Sequence, residues 1–120
     1  MKSKFILSLL LGSALGLSAQ GFKDGVEYYR ADQPEEALII LTNTLNQPGT
    51  EQATSYYYLG QIAMQKGDKA KAKEYFEKGL AADPANGYNY VGMGALALAA
   101  GNPGQAKDYF KDAKGKAKKN

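Results

Sequence analysis

Residues 53–86 read ATSYYYLGQIAMQKGDKAKAKEYFEKGLAADPAN, and residues 87–120 read GYNYVGMGALALAAGNPGQAKDYFKDAKGKAKKN. Laid one on the other at an offset of 34, they place Tyr56 on Tyr90, Gly60 on Gly94, Ala63 on Ala97, Gly67 on Gly101, Ala72 on Ala106, Tyr75 on Tyr109 and Phe76 on Phe110. This many coincidences at one offset mark a tandem repeat rather than a shared composition. An offset of 35 carries Gly25 to Gly60, Ala37 to Ala72, Leu41 to Phe76 and Leu45 to Leu80, so a more diverged copy lies between about Ser18 and Gln52. In each copy, apolar or small residues recur three or four apart on both sides of a short breaker. The breakers are Ala31-Asp32-Gln33-Pro34, Lys66-Gly67-Asp68 and Gly101-Asn102-Pro103-Gly104. Each copy is predicted to be a helical hairpin.

Small residues at fixed places predict how the hairpins close. Gly60 and Gly94 on the first helices, with Ala72 and Ala106 on the second, allow two backbones to approach, while Tyr56, Leu59, Phe76 and Leu80 fill the surrounding volume. Asp83-Pro84 ends one helix, because proline disfavours helical geometry in the residue before it. Asn86 then caps the next helix, and Thr50 has the same capping role one repeat earlier.

Period, breaker position and residue types resemble the tetratricopeptide repeat. The second copy carries the pattern in Tyr56, Leu59-Gly60, Ala72, Phe76, Gly79 and Pro84. The third keeps Tyr90, Gly94, Ala106, Phe110 and Ala113, with Met93 for Leu and Lys118 where proline would fall, and the first keeps Gly25, Tyr28 and Ala37. The resemblance implies an all-α fold: a right-handed superhelical solenoid of about three helix-turn-helix repeats whose first helices line a concave groove. The segments are residues 1–20, a leader; 21–52, the diverged first repeat; 53–86, the second; and 87–120, the third with its Lys-rich end. The family role is to hold other proteins or peptides.

Mapped onto the family's groove positions, the floor is aromatic and aliphatic with little charge. Its candidate contact residues are Phe22, Tyr29, Tyr57, Gln61, Tyr88 and Val91. The family's clamp for acidic chaperone tails uses Lys, Arg and Asn at places where this chain has Phe22, Val26, Tyr58, Tyr88 and Gly92, so that role is rejected. An apolar or tyrosine-contacted peptide or helix suits the floor better, because aromatic rings offer large area with few rotatable bonds. Tyr28, Tyr56, Tyr75, Tyr90 and Tyr109 fall instead on inward or hairpin-packing positions.

Between Asp83 and Lys107 there is no charged residue, so the first helix of the third copy is apolar or small on every side, as helices covered all round are. The last repeat of a free-standing array would carry a polar outer face. Three explanations stay open: further repeats follow in a longer protein, a partner or second copy covers Leu96, Leu98 and the neighbouring alanines as an assembly surface, or the small side chains tolerate exposure.

With neither His nor Cys among its 120 residues, the chain lacks the usual zinc ligands, the usual neutral-pH base and any thiol nucleophile. No catalytic spacing or phosphate-binding loop is present, so no enzyme activity, cofactor or metal is expected. MKSKFILSLLLGSALGLSAQ has two lysines, an apolar run and small residues, the layout of a secretory signal cleaved after Ala19 or Gln20. Its apolar run is about a dozen residues against the roughly twenty that span a bilayer. An exported protein follows, periplasmic in a Gram-negative cell, with no integral membrane span once the signal is removed. Residues 107–120 carry six lysines and two aspartates. Beyond Phe110 no aromatic residue is interleaved among them, so they suit a solvated helix end and not nucleic acid. The expected partners are a protein or peptide ligand, with further copies or repeats as the alternative.

Overall fold

The computed structural model describes residues 14–119, and every regular element among them is an α-helix. In chain order these are α1 (Ala14–Arg30), α2 (Pro34–Thr44), α3 (Gln52–Gln65), α4 (Lys69–Ala82), α5 (Tyr88–Ala99) and α6 (Pro103–Lys119). Most of the segment read as a leader, residues 1–13, lies outside the described residues, and α1 runs through Ala19 and Gln20. The chain divides into two compact units, one ending at Glu51 and the other starting at Gln52. The first holds the hairpin α1–α2. The second holds α3–α4 and α5–α6, with α5 packed on both α3 and α4.

One turn geometry recurs in all three hairpins. The amide of Gln33 donates to the Tyr28 carbonyl at 2.9 Å and that of Asp32 to Tyr29 at 3.1 Å. Asp68 to Ala63 and Gly67 to Met64 repeat the pair, as do Asn102 to Ala97 and Gly101 to Leu98. This crossed pair satisfies carbonyls that the end of a helix would otherwise leave open, and it requires a left-handed residue after the helix. Gly67 and Gly101 supply it at φ +80° and +79°, whereas the first hairpin uses Asp32 at φ 60°. The following helix then starts on Pro34 or Pro103, whose missing N–H costs nothing at a first helical position, or behind Asp68, whose carboxylate accepts from the Lys71 amide.

Each hairpin is closed by a glycine facing a large apolar side chain. A Cβ on Gly25 would strike Leu41, one on Gly60 would fall on the Phe76 ring, and one on Gly94 on the Phe110 ring. In the second unit Phe76 is fully buried with Ala63, Ala72 and Met93, while Leu59 and Ile62 are also closed off from solvent. Tyr56 and Leu80 are half-buried, and Tyr56 pairs with the Tyr75 ring across the hairpin at 6.3 Å. Tyr28, placed inward by the sequence pattern, is 38% exposed.

Polar groups join the second hairpin to the third. Asn86 departs from the expected capping role: the N-cap of α5 is Gly87, with no side-chain cap bond, and Asn86, one residue earlier, accepts from the Tyr88 amide at 2.9 Å while its Nδ2 donates to Thr54 Oγ1 at 3.0 Å. Asn89, which the sequence pattern did not single out, is fully buried over Gly79 and donates to the Ala53 carbonyl at 2.9 Å. Thr50 departs from the expected role: its hydroxyl turns back to the Thr44 carbonyl at 2.7 Å, closing the end of α2.

Two stability changes follow. Ala72 is fully buried beside Phe76, so Ala72→Leu costs about 1–3 kcal/mol by overpacking. Asp32→Gly relieves a left-handed non-glycine residue and raises stability by up to about 1 kcal/mol. Urea midpoints of the three proteins check both signs, and an unchanged Ala72→Leu midpoint would refute the contact.

Candidate functional site

On α3, Tyr57 and Gln61 stand one turn apart, and on α5, Tyr88, Val91, Ala95 and Leu98 follow the three- and four-residue rhythm of one helix face. The two helices meet through an aromatic pair. Tyr57 and Tyr88 stack with ring centroids 5.3 Å apart and an interplanar angle of 29°. Tyr58 meets the Tyr57 ring edge-on at 5.1 Å, and Phe76 lies 6.2 Å beneath it. Tyr57 is thus held between the core and the surface, and its partner Tyr88 remains 51% exposed.

The outer face of α5 continues that surface. Val91 is 36% and Leu98 53% exposed, and no charged residue interrupts the strip. An apolar helix that is covered on one face and bare along the opposite one provides a contact surface with almost no desolvation cost from charge. Burial of the ring raises the Tyr57 phenol above its ordinary value of 10.0; a hydrogen bond from Gln61 opposes this, and the Tyr58 and Tyr88 phenols add to the rise.

The remaining residues singled out from the sequence are distributed elsewhere. Phe22, read as a groove residue, is buried at 6% exposure and offers no ring face to a ligand. Tyr29, also in the first unit, is half-buried. Leu96 and Leu98, read as one assembly surface, do not form one: Leu96 packs against the Phe76 core while Leu98 faces solvent. Residues two apart on a helix project in nearly opposite directions, which accounts for the separation. Among the described residues no group of three or more His, Cys, Asp or Glu side chains is placed to hold a metal, and no helix is long and apolar enough to cross a membrane.

These features define an all-α protein of repeated helical hairpins with an uncharged aromatic surface. Residues 53–86 match the tetratricopeptide repeat, so the second hairpin is a repeat of that kind. Two crystal structures of MamA share the fold, at TM-scores of 0.68 and 0.66 and 26% sequence identity in each case. Each similarity covers 85% of this chain but only 59% and 55% of the respective MamA chains. The chain therefore spans less than two thirds of the length of these structures. No curated protein sequence matches it.

The Tyr57 environment gives a pH test. The folded protein holds this phenolic proton more tightly than the unfolded chain, so the associated stability is complete below 10.0 and is lost as pH rises through the raised value. Urea midpoints of the parent and Tyr57→Phe, measured near neutrality and well above 10.0, are expected to show the larger alkaline loss in the parent. Equal losses would mean that the phenol ionises without penalty.

Proposed function

We propose that the protein is a non-enzymatic interaction module whose second unit holds an apolar peptide or helix against α3 and α5. Arrays of this repeat type serve as extended binding surfaces. The observation that carries the reading is the Tyr57–Tyr88 stack, which joins two hairpins and leads into the bare strip Tyr88, Val91 and Leu98. Tyr57 is anchored by Gln61 and Phe76, so its ring needs little ordering when a ligand arrives, and Tyr88 supplies the exposed contact area. Export belongs to the same reading: residues 1–20 act as a secretory signal, and the remainder works in the periplasm or cell envelope.

The bare strip also supports a second reading, in which α5 joins copies of the chain into a structural assembly through Leu98. One experiment separates them. Peptides are selected from a displayed library on the parent protein, and their dissociation constants are measured on the parent and on Tyr88→Ala and Leu98→Glu variants. Mass is followed by size exclusion with light scattering. The binding reading expects apolar or aromatic peptides that lose about tenfold or more on Tyr88→Ala, the loss typical of a central aromatic contact. A parent that runs as an oligomer, is dispersed by Leu98→Glu and selects no peptide supports the assembly reading and overturns the first.

A further inference from the structure

A second surface lies on a different face of α5, where α4 and α6 flank a cavity of about 400 Å³. Its floor is apolar: Met93 and Ala97 are buried and Leu96 is half-buried. Ala70 and Ala100 contribute only methyl groups to the walls, so the space between the helices stays open. The rim has a single sign. Lys69 and Lys73 stand one helical turn apart on α4, both exposed, and among the described residues neither is paired with a carboxylate. Glu77, one turn beyond Lys73 on the same side of α4, makes no ion pair with it, and Glu74 is engaged elsewhere, with Lys78 at 3.1 Å and Lys71 at 3.6 Å.

An apolar floor beneath an uncompensated pair of ammonium groups is complementary to a molecule with an apolar tail and an anionic head. We propose that this crevice binds a single-chain carboxylate amphiphile, its tail over Met93 and Leu96 and its carboxylate between Lys69 and Lys73. Two like charges at this spacing repel each other, and an anion placed between them relieves that repulsion while the tail removes apolar floor from water. The floor lies between α4 and α6, and the volume of the cavity suits a single inserted chain. The proposal uses neither Tyr57 nor Tyr88 and is independent of the peptide reading.

The test is a titration of the whole protein, labelled at its methionine methyl groups, with decanoate below its micelle concentration, followed by NMR. Met93 lies in the cavity floor and reports occupancy directly, while Met64 on α3, outside the cavity lining but packed on the same core, should shift less. Decanoate is expected to shift Met93 saturably, with at least about tenfold weaker binding of decyltrimethylammonium and weakening by salt. The double change Lys69→Glu, Lys73→Glu should invert that headgroup preference. Ala100→Trp, or Ala70→Trp at a second exposed wall position, should abolish the shift with the helical circular dichroism unchanged. The proposal is overturned if the two amphiphiles bind alike, if Met93 does not respond, or if the tryptophan variants that keep their helicity still bind decanoate as the parent does.

Discussion

The second unit depends on the close approach of two helices to one phenylalanine ring. Phe76 on α4 has Gly60 of its own hairpin against it and Gly92 of the next, and a Cβ at either glycine would fall on the ring. One side chain thereby sets both the spacing within a hairpin and the spacing between hairpins. Dispersion contacts at this density are the reason Phe76 has no exposed area, and they leave no room for even a methyl group on the facing backbones. The corresponding ring in the third hairpin, Phe110, lies against Gly94 and is 36% exposed.

This constraint explains the unusual composition of α5. Gly92, Met93, Gly94 and Ala97 are needed where the helix meets α3, α4 and α6, and all four are buried. Tyr88, Val91 and Leu98 look outward, while Leu96 borders the crevice beside α4 and α6. A helix without charge thus divides its surface three ways: packing, an aromatic strip and the floor of a cavity. The polar joint formed by Asn86 and Asn89 fixes its start against α3, with hydrogen bonds to Thr54 and to the Ala53 carbonyl. The buried Asn89 amide over Gly79 meets its need only through Nδ2, its Oδ1 having no hydrogen-bond partner among the described residues. Loss of the Ala53 contact would leave the whole amide unmatched, so this joint sets the register of the third hairpin on the second.

The peptide reading and the amphiphile reading rest on opposite physical properties of the same unit. The Tyr57–Tyr88 surface is aromatic and carries no charge, which favours contact with a protein segment. The crevice is concave and has a cationic rim, which favours a small anionic molecule.

The sequence by itself determined the hairpins. A repeat offset of 34, the breakers, the left-handed glycines and the small-against-large pairs are local or periodic properties, and their consequences for backbone geometry require no knowledge of distant partners. The resemblance to the repeat family put Tyr57 and Tyr88 at groove positions of successive first helices, and the two rings stack. Tertiary structure decided the rest. It buried Phe22, separated Leu96 from Leu98, turned Thr50 back onto α2 and placed Asn89 under cover. It also opened the crevice between α4 and α6, whose lining comes from three helices. Periodicity specifies which face of a helix a residue occupies, whereas burial, hydrogen-bond partners and cavities depend on what the remainder of the chain lays against that face.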